Sequence, residues 1–361
     1  MLVFPTIVIS AKSPYERGVR YGAQAEPLIS MCINTYKGRT ARAGITWEIA
    51  QEVAMRHLKW VEENENLPDM IEEIRGIAEG SDNDIRDIAV LNCVYELLHF
   101  PNECTSFALK REATVDGHII IGQNWDQDPV MGAHAVILDI FEEETGNHIF
   151  GITEAGQLIK SGICVHKDES ATAICGNSIL SNKDKVGIGC PTSILRRKAL
   201  TFGRMENILN LVTGSARSVS SNINVATSEN KAVAIELLPE VVESEDRLLM
   251  DPYYIMEPMS GIVTHDNSIK SVPRIDIFRH GHPRGTHLKI LFSEAVGRID
   301  LDYIKQCLSD HEGFPGSICS HGCDENDDWQ TIASVIYDLD ARTAHICCGA
   351  PCRNSYIEFK L

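Results

Sequence analysis

The chain has 361 residues, with 33 Lys and Arg against 51 Asp and Glu, a formal net charge of −18, and 12 cysteines. That length can bury a sizeable core. The acidic balance argues against nucleic acid as a partner, which would need a basic face, and no apolar run reaches the roughly 20 residues that cross a bilayer.

The N-terminal "MLVFPTIVISAKSPYERG" has a short apolar stretch. It has no basic leading segment and no small-residue cleavage site, so it does not read as a signal peptide. The cysteines then read as reduced thiols and the compartment as cytoplasmic. The final "FKL" shares two of three letters with the peroxisomal S-K-L address, which keeps peroxisomal import as the alternative.

Residues 14–100 read as helices. "SPYERGVRYGAQAEPLISMCINTY" carries Val19, Leu28, Ile29, Met31 and Ile33 at helical spacing, and "TWEIAQEVAMRHLKWVEENE" places Ile49, Val53, Leu58 and Val61 along one face behind a capping Thr46. "PDMIEEIRGIAEGSDND" repeats the pattern with Met70, Ile71, Ile74 and Ile77 and ends at Gly80. "DIRDIAVLNCVYELLHF" is the last of these helices, stopped at Pro101.

From Cys104 the period changes to two. "CTSFALK" and "GHIIIGQNW" form a predicted hairpin around Asp116-Gly117. A second hairpin turns at Thr145-Gly146-Asn147 and a third at Glu229-Asn230, with helical "PTSILRRKALTF" and "MENILNLV" between them. "QTIASVIYDLDARTAHICC" is a fourth hairpin and "YIEFKL" a last strand. Helices first and antiparallel strands after predict an α+β fold, read as one domain over 1–361.

Cys104 opens its strand at the seam between the helical and sheet halves. A buried structural cysteine is the ordinary reading. A nucleophile would need a base, and no cysteine–histidine protease signature is present. One base belongs to the residue itself. If the Glu103–Cys104 bond were cut, the new α-amine, of ordinary pKa about 7.7–8, could take the thiol's proton. "GQNWDQD" offers Asn124 and Asp126 at the end of the next strand, where turn residues are also common. "GIVTHDNSI" offers His265 and Asn267, and an amide NH2 there could stabilise an oxyanion.

As a set, "SPYERGVRYGAQA", "IEEIRGIAEGSDNDIRDIAVLN", "ECTSFA", "GQNWD", "ITEAG", "SSNINVAT…AIELLP", "VTHDN" and "FPGSIC" resemble the acyl-coenzyme A:6-aminopenicillanic acid (isopenicillin N) acyltransferase family, which are N-terminal-nucleophile (Ntn) autoproteolytic enzymes. The resemblance implies an αββα four-layer sandwich. It implies an inactive precursor that cuts itself between Glu103 and Cys104 into associated chains 1–103 and 104–361. It also implies an acyl thioester on Cys104. Cys104 would be nucleophile and amine base, Thr105 its hydroxyl neighbour, Asp126 the residue that orients the amine, and Asn267 the oxyanion donor. Ser317, Asn124 and His265 are expected at the substrate.

The resemblance implies no cofactor, with acyl-CoA as a possible co-substrate. The expected partners are a small-molecule acyl donor and an amine acceptor in secondary metabolism. Glu103 stands where the penicillin enzyme has glycine, Ser320 where it has arginine and Ser268 where histidine is usual, so penicillin is not the expected substrate. The alternatives are an amidohydrolase or peptidase without CoA, and a scaffold that never processes. Zinc is a further reading of "SICSHGC" (Cys319, His321, Cys323) and "CCGAPC" (Cys347, Cys348, Cys352), but the cysteine spacings fit paired zinc knuckles poorly, and no metal is expected.

Overall fold

The computed structural model describes residues 3–98, 104–181, 184, 187–239, 253–269, 284–322 and 329–361. The chain begins with a strand, β1 (Thr6–Ala11), followed by helices α1 (Pro14–Arg42), α2 (Trp47–Asn64), α3 (Pro68–Gly80), α4 (Ile85–Asn92) and α5 (Val94–Leu98). Ser13 caps α1 by accepting from the Glu16 N–H, and Thr46 caps α2 by accepting from the Ile49 N–H.

The helical period is the expected one, but the buried stripes differ in detail. Tyr21, Ala25, Ile29, Cys32, Ile33 and Tyr36 are buried along α1, and Ala50, Ala54, His57, Leu58 and Val61 along α2. Met31 and Ile49 are exposed. Small residues form much of the real interface because the helices approach closely. A Cβ on Gly18 would sit 2.1 Å from the Glu73 carbonyl oxygen, and one on Gly76 2.1 Å from that of Tyr15. Only hydrogen fits where α1 crosses α3.

The rest of the chain supplies β2 (Cys104–Leu109), β3 (Ile120–Gln127), β4 (Ala135–Glu142), β5 (Asn147–Glu154), β6 (Ser161–Val165), β7 (Ala171–Ser178), α6 (Thr192–Ala199), α7 (Met205–Gly214), β8 (Ser221–Thr227), β9 (Lys231–Leu237), β10 (Tyr253–Met256), β11 (Ile262–His265), α8 (Arg284–Glu294), α9 (Leu301–Leu308), β12 (Gln330–Asp338), β13 (Thr343–Cys348) and β14 (Ile357–Lys360). Two sheets result. One has eight strands in the order β1-β4-β5-β6-β7-β8-β9-β10, and the other six in the order β11-β2-β3-β12-β13-β14. Every pairing is antiparallel except β1 with β4.

The two sheets pack face to face through β2 and β3 against β7 and β8. The N-terminal helices cover the eight-stranded sheet. Leu288 and Phe292 of α8 with Ile304 and Leu308 of α9 cover the outer face of the six-stranded sheet, over Phe107, Leu109, Ile120 and Ile336. This is an αββα order of layers, an α+β fold.

The predicted hairpin between β2 and β3 is looser than a two-residue turn. The connection runs from Lys110 to Ile119, with Gly117 at φ +72° inside it. The turns at Gly146 and Asn230 stand as expected, both at positive φ.

A buried ionic knot ties α1, α3 and α6 to β4. Arg197 of α6 reaches Glu73 of α3 at 3.0 Å and Glu142 of β4 at 2.9 Å, and Arg17 of α1 joins Glu73 at 3.1 Å. Burial would raise the Glu142 carboxyl, but the two guanidinium groups outweigh it and hold it down at about 2.

Candidate active site

Cys104 is the first residue of β2 and lies opposite Trp125 of β3. Side chains alternate along a strand. Cys104, Ser106 and Ala108 therefore face the eight-stranded sheet, with Gln123 and Trp125 beside them. Gln123 crosses the gap to β7, donating to the Gly176 carbonyl at 3.2 Å and accepting from its N–H at 3.0 Å. The cysteine is fully buried.

Its backbone nitrogen donates to Asn267 Oδ1 at 2.6 Å. Asn267 Oδ1 also accepts from Arg284 Nη2 at 2.9 Å, and Asn267 Nδ2 donates to the Ser178 carbonyl at 2.5 Å. Two donors on one side fix which end of the amide faces Cys104: it is the oxygen. The NH2 expected to meet an oxyanion is engaged by Ser178.

Arg284, at the start of α8, is the centre of the polar side of the site. Its Nη1 donates to Asp126 Oδ2 at 2.5 Å, and Nη2 also lies 3.5 Å from the Cys104 carbonyl oxygen. Asp126 Oδ1 accepts from Thr331 Oγ1 at 2.6 Å. Asp126 lies inside β3 rather than in a turn after it, and is fully buried.

Lys160, in the connection between β5 and β6, supplies a second cation. Its Nζ lies 4.9 Å from the Trp125 ring centre and donates to Tyr95 Oη at 3.0 Å. Burial pushes the Cys104 thiol up. Lys160 pulls it down, the Asp126 carboxylate pushes it up, and the Asp126 backbone N–H and Arg284 pull it down; the net direction is up. Burial would likewise lower the Lys160 ammonium, but Tyr95 and the Cys104 sulfur outweigh it and leave it raised. Lys160 thus stays a cation beside a thiol that resists ionisation. In Lys160→Met the thiolate loses that support. The acid limb of the pH–rate profile is expected to move to higher pH, with activity falling at neutral pH and recovering towards alkali.

The other expected residues divide between two faces. His265 lies between the sheets, opposite Ser106, with Nε2 2.9 Å from Glu236 Oε1, both fully buried. Asn177 Nδ2 joins this network, donating to Ser106 Oγ at 2.8 Å and Asn222 Oδ1 at 3.0 Å. Thr105 and Asn124 lie opposite each other on the reverse face, towards α8 and α9. Asn124 Nδ2 fastens that layer, donating to the Leu308 and Ile318 carbonyls at 2.8 and 2.9 Å. Ser317 donates to the Cys319 carbonyl at 2.6 Å in the same region. Asp126 and Asn267 therefore meet Cys104 through their polar contacts, His265 lines the inter-sheet face, and Thr105, Asn124 and Ser317 stand behind the strand. Glu103 lies outside the described residues.

Arg284 and Lys160 escaped the sequence reading. Neither sits in a chemical motif, and each reaches Cys104 only through the packing of a distant element. All eleven described cysteines are free thiols. His311, Cys319, His321 and Cys352 converge around a separate point.

No family model matches the chain. The chain aligns over 351 residues, at 22% identity, with the acyl-coenzyme A:6-aminopenicillanic-acid-acyltransferase 40 kDa form of Emericella nidulans, spanning 94% of this chain and 91% of that protein. The chain is a distant relative of that acyltransferase. Among solved structures it is similar to a variant of conjugated bile acid hydrolase from Clostridium perfringens, with a TM-score of 0.44 and 11% identity over 72% of this chain and 97% of that one. It is also similar to penicillin V acylase from Agrobacterium tumefaciens, with a TM-score of 0.41 and 7% identity over 68% of this chain and 83% of that one. No helix of the described residues is long and apolar enough to cross a membrane.

Proposed function

We propose that the chain is an autoproteolytic N-terminal-cysteine enzyme that carries an acyl group on Cys104 and passes it to an amine. The acyl donor is an acyl-CoA or an amide, with water as the competing acceptor. The observation that carries this reading is that Cys104 meets two different polar walls. Asn267 and Arg284 hold the backbone side, and Lys160 stands over the ring of Trp125, the residue paired with Cys104 on the neighbouring strand.

In the precursor, the Cys104 sulfur attacks the Glu103 carbonyl carbon. The C–N bond breaks, and the thiol proton passes to the departing Cys104 nitrogen. Water then hydrolyses the thioester, giving a Glu103 carboxylate and a free thiol. The new amine keeps the Asn267 Oδ1 acceptor that the peptide nitrogen has now. In turnover, that amine takes the thiol's proton as sulfur attacks the acyl carbonyl, and returns it to the leaving amine or CoA thiol. An acceptor amine attacks the thioester and releases Cys104.

Chains 1–103 and 104–361 would stay together after the cut. β1 pairs along its whole length with β4, Tyr36 donates to Glu154 at 2.6 Å, and Glu73 holds Arg197. A Cys104 amine so enclosed would work as one unit with the helices that cover it.

Intact-mass measurement on freshly purified protein tests the reading. Two masses, for 1–103 and 104–361, are expected. Adding acyl-CoA without acceptor should add one acyl mass to the longer chain, and an amine should remove it as an amide. Acylation by amides but never by acyl-CoA would assign the hydrolase alternative. A chain that stays whole yet turns over substrate would refute the mechanism.

A further inference from the structure

His311, Cys319 and His321 stand on the loop after α9, and Cys352 on the turn between β13 and β14. Their four donor atoms all lie within 4.8 Å of one another. His311 Nε2 and His321 Nε2 are 3.1 Å apart, His321 Nε2 and Cys352 Sγ 3.2 Å, and Cys319 Sγ and His321 Nε2 3.6 Å. In a tetrahedral site with Zn–N of about 2.0–2.1 Å and Zn–S of about 2.3 Å, neighbouring ligand atoms are about 3.3–3.8 Å apart. The three separations fall at or just below that range.

Hydrogen bonding explains the cluster poorly. His321 Nε2 faces three partners, and a ring nitrogen offers either one proton or one lone pair. A cation at the centre would satisfy all four donor atoms at once. We propose that His311, Cys319, His321 and Cys352 bind one zinc ion in a closed Cys2His2 site. Two sulfurs and two imidazoles suit zinc and disfavour magnesium or calcium. Four protein ligands leave no open position for a substrate, so the site is structural. On binding, the two thiols lose their protons to solvent and both imidazoles bind as neutral rings.

The ion would staple the loop after α9 to the C-terminal turn. That loop serves the catalytic layer directly. Its Ile318 carbonyl accepts from Asn124, and its Ser320 N–H donates at 2.9 Å to Thr331 Oγ1, which donates to Asp126. Spacing read on cysteines alone disfavours zinc, because half of this ligand set is histidine and one cysteine comes from a distant turn. Cys347 and Cys348 point elsewhere, to the Gly349 carbonyl and the Phe4 N–H. Cys323 lies outside the described residues.

The test uses the full-length, reduced protein, exposed to zinc and then desalted. About one zinc per chain is expected by elemental analysis. Cobalt(II) in its place should give the visible absorption of a tetrahedral thiolate site. Cys352→Ser and His311→Ala should each lose the metal while Cys347→Ser keeps it. His311 is exposed, so its alanine variant guards against a folding defect in Cys352→Ser; circular dichroism checks both. Folded, reduced wild type that takes up neither zinc nor cobalt overturns the proposal. So does equal metal loss in Cys347→Ser, or a Cys319–Cys352 disulfide whose reduction brings no metal uptake.

Discussion

Cys104→Ala is expected to leave an undivided chain of 361 residues with acyl turnover reduced on the order of 10⁴-fold or more, the scale seen when a covalent nucleophile is removed. The side chain is fully buried opposite Trp125, so alanine costs little packing beyond one sulfur atom, and circular dichroism should stay native. Cys104→Ser sharpens the test. A hydroxyl keeps nearly the same volume and hydrogen bonding but ionises far less readily than a thiol. Self-cleavage should slow and thioester chemistry should vanish. Intact mass over hours after purification reads the first, and single-turnover acyl capture the second. If Cys104→Ala still divides, or turns over like the wild type, Cys104 is a core cysteine and another group carries the chemistry.

The second large effect is expected at Arg284. Its guanidinium spans Asp126, Asn267 and the Cys104 carbonyl, with Asp126 fully buried. Arg284→Met removes this cation from Asp126. Breaking a buried pair from one side costs about 3–5 kcal/mol, so a clear drop in Tm is expected. Asn267 also loses one of its two holds against Cys104, so kcat should fall with stability. Arg284→Lys separates the two contributions. An ammonium restores the charge but not the planar fork, and cannot serve Asp126 and Asn267 together. Stability should largely recover while self-cleavage and kcat stay low. Full recovery of both in Arg284→Lys would mean that only the charge matters, and no loss in Arg284→Met would remove Arg284 from the site.

These residues show where sequence reading succeeds and where it stops. Cys104 was visible because the hydrophobic period changes from helical to alternating at that residue, and because it heads a motif set shared along the chain. Asp126 and Asn267 came from the same motifs. Arg284 had no such mark: α8 carries only Leu288 and Phe292 as its large buried apolar residues, so its helical pattern is weak. Lys160 carries no motif of its own. Only the stacking of Tyr95 and Trp125 around it makes it a buried cation.

The sequence by itself determined the helical front, two of the turns and the α+β class, and it singled out Cys104 as the candidate nucleophile, because periodicity, caps and turn residues act over a few neighbours. It did not reveal β6 or β7, since strands buried on both faces lose the alternation that marks a half-exposed strand, nor the short β1, although that strand alternates between exposed and buried positions. Tertiary structure alone decided which face each candidate serves. Thr105 and Asn124 sit next in sequence to residues of the site yet point to the opposite layer, because adjacent side chains on a strand diverge. Arg284, 180 residues from Cys104, reaches its carbonyl because two sheets and a helix converge there.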